Sequence, residues 1–513
     1  MRQARAADER FVQEMIRRER HHPLDVGTTS KGGRYRVSRE VVRAMRGLVT
    51  GLPGNGKTML IVMLAAWWAL RALVTGDDGV FDLSPKRDLL DGVVRLLARH
   101  LGRLPRRVWQ PAIERVQIFD PFRRTRGWAL LEPQPRVSAS THAAIVAQAL
   151  LSFGMHLGEI QLPVLVALLT LGVTEGWSPL DLLYRIYDTP GIVEAAKRCP
   201  VTDTRLFLTS RYARLGRGVV DGIAARLRML VLACDETKAV FARVGPAFDT
   251  TRALEPGNVS LVSTADAPLG AAGASQAMNA LVLATGLGYA MTDPNRRTDG
   301  TTLVLVDEAH VPAAIPSAAE ALSAALSRGR AFNIAPVYVC QAEAQFDARM
   351  REVFAASINT RVVFAGSSAD MEAARAWLTP TGAVAKPLRP GERPSPELSL
   401  QTAAEEELSL ARELRAMPPR HCLIAERHQT FGARIVRTSD VLIPGDDELD
   451  PEVMAALDER AGLALPEAAR RVRAIEDELA QRLDGSVGAV TAATVMPLIA
   501  GDGERGGPKG GAL

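Results

Sequence analysis

At 513 residues the chain is longer than one ordinary hydrophobic core serves, so two or three domains, or one large domain with insertions, are expected. Hydrophobic residues at 47% with charged residues at 23% exclude an intrinsically disordered protein, and a formal net charge of +4 is too small to argue by itself for a nucleic-acid partner. Seven lysines stand against 55 arginines, which makes any single arginine weak evidence of function.

Residues 1–21 read as a basic, solvated helix or arm without the apolar stretch of a signal peptide. The first 46 residues carry twelve basic and six acidic side chains, a net of +6 that suits DNA or anionic lipid alike. From residue 22 the text RYRVSREVVRAMRGLVTG predicts a short hairpin and then a buried strand, Gly47–Thr50. A glycine-rich turn leads into an apolar helix, Thr58–Val74, and strand-like segments follow at 79–83 and 115–120. Strand, helix, strand is the α/β pattern, and residues 22–136 form the first half of that core.

Across 137–248 strand signals vanish and helical periodicity dominates, which predicts an all-helical insertion domain. Strands resume at 258–263, 301–307, 335–341 and 360–366, and a last pair lies within 421–441, so 249–445 is the second half of the core. The Pro-rich segment 379–396 reads as a linker, and 446–513 as C-terminal helices ending in a disordered Gly-rich tail. The longest apolar runs, Met59–Leu70 and Leu162–Leu169, fall short of the ~20 residues that span a bilayer. A cytoplasmic protein, held at the inner membrane at most through partners, is expected. Cys199, Cys234, Cys340 and Cys422 are scattered and read as free thiols of a reducing compartment.

Residues 51–58, GLPGNGKT, match the phosphate-binding pattern GxxxxGK[ST]. Gly51, Pro53, Gly54, Asn55 and Gly56 let the backbone curl so that successive N–H groups point at β- and γ-phosphates. The helix that follows adds its positive end. Lys57 supplies a mobile charge to the γ-phosphate, and the Thr58 hydroxyl is a ligand for Mg²⁺. ATP and Mg²⁺ are the expected cofactors.

Such a loop needs carboxylates from a second strand. The run Leu303–Val306 is apolar in the way of a buried parallel strand, and Asp307 falls at its carboxyl end, where it would hold the metal through water. Glu308 would then polarise the attacking water. The letters Asp307-Glu308-Ala309-His310 also spell a helicase box, but the Ser-Ala-Thr motif and second ATPase domain of those enzymes do not follow, so His310 is expected to be incidental. Downstream, residues 321–345 read as a helix ending in Ser-Arg-Gly-Arg and a strand ending on Gln341. Beside the acidic strand, Gln341 would sense the γ-phosphate. Arg330 at the helix end, or Arg328 next to it, would serve as a finger offered to a neighbouring subunit.

These stretches together resemble the FtsK–HerA superfamily of ring-forming DNA pumps, most closely the coupling ATPases of conjugative type IV secretion. The likeness runs over about residues 22–440 and thins through the helical insertion. It rests on the hairpin before GLPGNGKT, GVFDLSPKRDLL, VQIFDPF, Asp307-Glu308, and SRGRAFNIAPVYVCQAEAQF, in which Asn333 stands where the family has glycine. SINTRVVFAGSSADMEAARAWL resembles the closing strand and helix. The resemblance implies a RecA-like core with a mainly parallel sheet and catalytic roles for Lys57, Glu308, Arg330 and Gln341. It also implies a homo-hexamer moving DNA through its pore, with relaxosome, secretion-channel or nuclease partners. It departs from the membrane coupling proteins in showing no N-terminal transmembrane helices.

Two alternatives stay open: a HerA-like motor partnered with a nuclease, and an ATP-binding scaffold like the zonula occludens toxin family of phage assembly. DNA would be gripped by phosphate contacts without sequence readout, with candidates in Arg205–Arg228 and in Arg123, Arg124 and Arg126.

Overall fold

The computed structural model describes residues 14, 17 and 21–484, apart from 30–31, 134–136, 152–158, 269–270, 294–295, 297–298, 366–367, 378–400 and 428–433. The expected arm 1–21, the linker 379–396 and the tail 501–513 lie almost wholly outside those residues. In chain order the strands are β1 (Leu24–Thr29), β2 (Arg34–Val37), β3 (Gly47–Thr50), β4 (Gly79–Ser84) and β5 (Val116–Phe119). Three short ones follow, β6 (Arg124–Thr125), β7 (Gly127–Trp128) and β8 (Ala247–Phe248), then β9 (Val259–Ser263) and β10 (Thr302–Val306). The rest are β11 (Ile334–Val339), β12 (Thr360–Phe364), β13 (His421–Glu426), β14 (Arg434–Thr438) and β15 (Leu463–Ala464).

Eleven of them form one sheet in the order β2-β1-β14-β13-β12-β3-β11-β10-β4-β9-β5. The stretch from β12 to β5 is parallel throughout, whereas β13, β14, β1 and β2 continue it as an antiparallel wing. The composition follows that division. The strands β3, β4, β5, β9, β10 and β11 are buried at every residue, as short apolar runs covered on both faces must be.

Side chains alternate between two cores. Val80, Leu303, Leu305 and Val337 pack on the face covered by the helix Lys57–Thr75. Phe81, Leu83, Val304, Val306 and Tyr338 face the opposite core, which also holds the helix Ala272–Thr292. Lys57–Thr75 is apolar nearly all round because the sheet lies on one side of it and the helix Arg87–Leu101 on another. It is the one described helix long and apolar enough to cross a membrane, and here it lies in the core.

Between β7 and β8 the chain builds seven α-helices among the described residues, from Ala139–Leu151 to Asp235–Phe241. Their apolar faces are not walled off from the sheet: Leu165, Leu168 and Leu227 belong to the same continuous core as Phe81 and Val304. An aromatic cluster makes the joint, with Trp128 5.7 Å from Phe119 and 5.9 Å from Phe241, and Phe248 5.0 Å from Phe119. The C-terminal helix Leu465–Asp484 docks on this part through Glu476, which accepts from Tyr184 Oη at 3.2 Å and pairs with Lys238 at 3.3 Å.

A buried charge cluster fastens the start of the core. The Lys57–Thr75 helix ends at Gly76, whose left-handed backbone turns the chain so that Asp78 enters the interior. Asp78 is fully buried and faces three guanidiniums: Arg39 at 2.8 Å, Arg43 at 3.5 Å and the equally buried Arg71 at 3.8 Å. It also accepts the Thr301 N–H at 3.2 Å, just before β10. Removing Asp78 leaves the buried Arg71 guanidinium without this counter-charge and out of reach of solvent. Asp78→Ala should therefore lose roughly 3–5 kcal/mol, read as a lower urea midpoint at unchanged slope.

Candidate functional site

The phosphate-type loop lies where β3 is inserted between β11 and β12, at the carboxyl ends of the parallel strands. Both neighbours grip it. The Gly51 N–H donates to the Gln341 carbonyl at 3.1 Å, and the Leu52 N–H to the Ala365 carbonyl at 3.0 Å. The Asn55 side chain donates to the same Ala365 carbonyl at 2.7 Å, and the Asn55 carbonyl accepts the Arg420 N–H at 3.0 Å.

Gly51 has φ 147°, and a Cβ there would meet Phe364 Cβ at 2.6 Å, so close approach demands glycine. Gly56, at φ 101°, caps the helix Lys57–Thr75 without a side-chain hydrogen bond, and no acidic residue stands in its first turn. The opening N–H groups of a 19-residue helix are thus left for an anion. Lys57 Nζ donates to the carbonyls of Gly51 and, at 3.0 Å, Leu52, and burial lowers its pKa.

The acidic strand β10 lies two places from β3, with β11 between them. Its end is locked on both sides: the Asp307 N–H donates to Leu83 of β4 at 2.9 Å, and the Ala309 N–H to Val339 of β11 at 2.8 Å. Asp307 is buried and accepts the Glu308 N–H at 2.9 Å, with Ser84 Oγ at 3.4 Å. Burial pushes its pKa up, against the pull of Lys86.

Glu308 takes φ 46°, a left-handed backbone that non-glycine residues rarely adopt and that concentrates at functional sites. Lys86 Nζ is hydrogen-bonded to its Oε1, and His310 Nδ1 lies 3.5 Å from its Oε2. Burial opposes the charge on Glu308, but Lys86, His310 and the facing Gln341 side chain more than offset it, so its pKa lies below the ordinary value.

Lys57, Thr58, Asp307, Glu308 and Gln341 therefore converge on one rim of the sheet. Arg330 does not join them. It is exposed in the 3₁₀ turn Gly329–Phe332 before β11, at the opposite end of that strand from Gln341, about 20 Å away at strand rise. The turn also accounts for Asn333. Its φ of 52° is left-handed, and asparagine tolerates this better than other residues with a Cβ, so it serves where glycine would otherwise stand.

Reading the sequence missed several members. Lys86 follows the end of β4, and its scarcity among 55 arginines was the available signal. His310, expected to be incidental, opens the short helix His310–Ala313 and touches both Glu308 and the Gln345 side chain, 3.2 Å away. Gln345 in turn accepts the Gln341 N–H at 2.9 Å and the Ala342 N–H at 3.0 Å, fixing the end of β11. Asp82 is fully buried beside Asp307, and burial raises its pKa well above the carboxylate range. Its position mid-strand gave no hint of this.

One candidate phosphate contact is corrected. Arg126 is buried, and its guanidinium donates to the Ala247 carbonyl at 2.9 Å and to the Arg460 carbonyl, so it is structural.

No protein-family model and no curated protein sequence matches the chain. Among solved structures, the plasmid coupling protein TrwB in complex with the GTP analogue GDPNP matches 84% of this chain and 92% of its own, at 16% identity and TM-score 0.50. The unbound form of the bacterial conjugative coupling protein TrwBΔN70 matches 84% and 91%, at 16% identity and TM-score 0.49. VirB4 of Thermoanaerobacter pseudethanolicus matches 83% and 98%, at 14% identity and TM-score 0.48. At such identities the likeness is one of fold: the α/β, RecA-like core of the coupling protein with GDPNP is the core found here.

Gly51→Ala tests the grip on the loop. With its Cβ driven into Phe364, the variant should lose roughly 1–3 kcal/mol of stability in chemical denaturation. A midpoint equal to wild type would show that the loop moves freely from β12.

Proposed function

We propose that this chain is an ATPase of the conjugative coupling type, which hydrolyses ATP at the subunit interfaces of a ring and uses the energy to move DNA. One observation carries the reading. A phosphate loop on β3 and an Asp-Glu pair on β10 face one crevice, with Gln341 two residues past the end of the strand between them. The TrwB structure of the same fold is a complex with a GTP analogue, which supports a nucleoside triphosphate as the ligand here.

The residues present fit Mg²⁺. The Thr58 hydroxyl and the Asp307 carboxylate are the hard oxygen donors such a cation takes, and no cluster of three or more metal-ligating side chains competes among the described residues. Bound there, Mg²⁺ would neutralise charge on the β- and γ-phosphates. Lys57 exchanges the carbonyls of Gly51 and Leu52 for phosphate oxygens. Glu308 accepts a proton from the attacking water, and its lowered pKa keeps it ionised for that task.

Lys86 holds the Glu308 carboxylate by a hydrogen bond and charge, so it sets the orientation of the base. Gln341 reports the γ-phosphate to the end of β11. Arg330 completes the site of a neighbouring copy, since its own loop is a strand length away. In the helical part, Arg211, Arg214 and Arg217 are exposed around the turn between the helices Thr202–Arg211 and Arg217–Val231, and Arg228 is exposed in the last turn of the second helix, where they suit DNA phosphates.

Lys57→Ala should abolish binding of a fluorescent ATP analogue. Glu308→Gln should retain binding and lose about 10²–10⁴-fold in turnover; normal hydrolysis by Glu308→Gln would remove the base from the scheme. Mixing inactive Arg330→Ala with inactive Glu308→Gln subunits should restore part of the DNA-stimulated activity, because some interfaces then hold both groups. No recovery at any ratio, with mixed rings confirmed, would place the finger elsewhere.

A further inference from the structure

The antiparallel wing supplies a residue to the phosphate loop that neither the motif nor the acidic strand accounts for. Arg420, just before β13, has φ 64°. An arginine held left-handed is costly unless its surroundings fix it. Here they do: its N–H donates to the Asn55 carbonyl inside the loop at 3.0 Å, and its carbonyl accepts from the Thr438 N–H at 2.9 Å and the Thr438 hydroxyl at 3.0 Å. A Cβ on Gly56 would lie 3.4 Å from Arg420 Cα and 3.5 Å from its Cγ, so the arginine rests directly against the residue that caps the helix Lys57–Thr75. Its guanidinium pairs with Asp440, and both side chains are mostly exposed, 60% and 64%. An ion pair so exposed is worth little and is readily exchanged for a stronger anion.

The strand order says which part of a nucleotide this cation faces. Asp307 and Glu308 mark the γ-phosphate end, and they lie on the β11–β10 side of β3. Arg420 lies on the other side, past β12. A triphosphate with its γ-phosphate at the acids and its β-phosphate in the loop runs its α-phosphate and nucleoside toward β12 and β13.

We propose that Arg420 is a nucleotide-binding residue for the α-phosphate and nucleoside half of the ligand, leaving Asp440 when nucleotide binds. The proposal rests on the reading of residues 51–58 as the nucleotide loop. It gives Arg420 a part in affinity for both ATP and ADP and none in cleavage of the γ-phosphate.

The test uses the full chain with Arg420→Gly, which removes the guanidinium and keeps the left-handed backbone, and Asp440→Asn, which frees the arginine. Binding of ADP, of a non-hydrolysable ATP analogue and of pyrophosphate is measured with Mg²⁺, and ATP turnover is measured at saturation. Arg420→Gly should weaken ADP and the ATP analogue alike by about ten-fold or more, leave pyrophosphate unchanged, and keep saturated turnover within about two-fold. Asp440→Asn should bind ADP more tightly than wild type.

Unchanged ADP affinity in a folded Arg420→Gly chain would overturn the proposal, as would a loss confined to the triphosphate. If Lys57→Ala binds ADP as wild type does, the reading of the loop itself falls and this proposal with it. Loss of binding in Lys57→Ala alone sinks only the role of Arg420.

Discussion

The structure depends on one placement: β3 lies between β11 and β12, and the loop that leaves it is tied by hydrogen bonds to both. A glycine-rich loop free in solvent has no reason to hold its N–H groups on one point. Here Gly51 hangs from Gln341, Leu52 and Asn55 hang from Ala365, and Arg420 hangs from Asn55. The same insertion puts the ends of β4, β10 and β11 along one rim, so residues from distant stretches of chain meet. The crevice is the kind expected where an open parallel sheet changes the direction of its strand order.

Charge is arranged around that crevice with equal care. Two of the seven lysines, Lys57 and Lys86, approach from either side of Asp307 and Glu308, so the four groups balance before any ligand enters. Incoming phosphates and a divalent cation would disturb the balance, drawing Lys57 to the phosphates and Asp307 to the metal. The Lys86–Glu308 pair and the strained backbone of Glu308 then decide how far the carboxylate turns. Gln341 faces the same carboxylate, and Gln345 links it to His310 and the start of the next helix. At the far end of β11, Arg330 is exposed and a strand length from this site.

Much of this was legible in the sequence for physical reasons. GLVT, TLVLV and APVYV are unbroken apolar runs, and only a doubly covered parallel strand buries such runs whole. GLPGNGKT carries its own mechanism. What escaped reading is pairwise and distant. Lys86 meets Glu308 across 222 residues because β4 and β10 are neighbours in register, which no local pattern encodes. Arg126 looked like one more surface arginine until two backbone carbonyls claimed it. Arg420 is invisible in PPRHC because its meaning lies in a left-handed backbone. The helical insertion announced itself by the loss of strand signals, but its core's continuity with the sheet did not, since an apolar helix does not say what covers it.

Residues 51–58, Asp307 and Glu308 are proposed to form one nucleotide site. An experimental map of the full chain with Mg²⁺ and a non-hydrolysable ATP analogue tests it most directly. Triphosphate density should be wrapped by the backbone of Gly54 to Thr58, with a cation between Thr58 and Asp307 and Glu308 facing the γ-phosphate. Density for the analogue at any other place, or a loop still closed on Lys57 at saturating analogue, would contradict it.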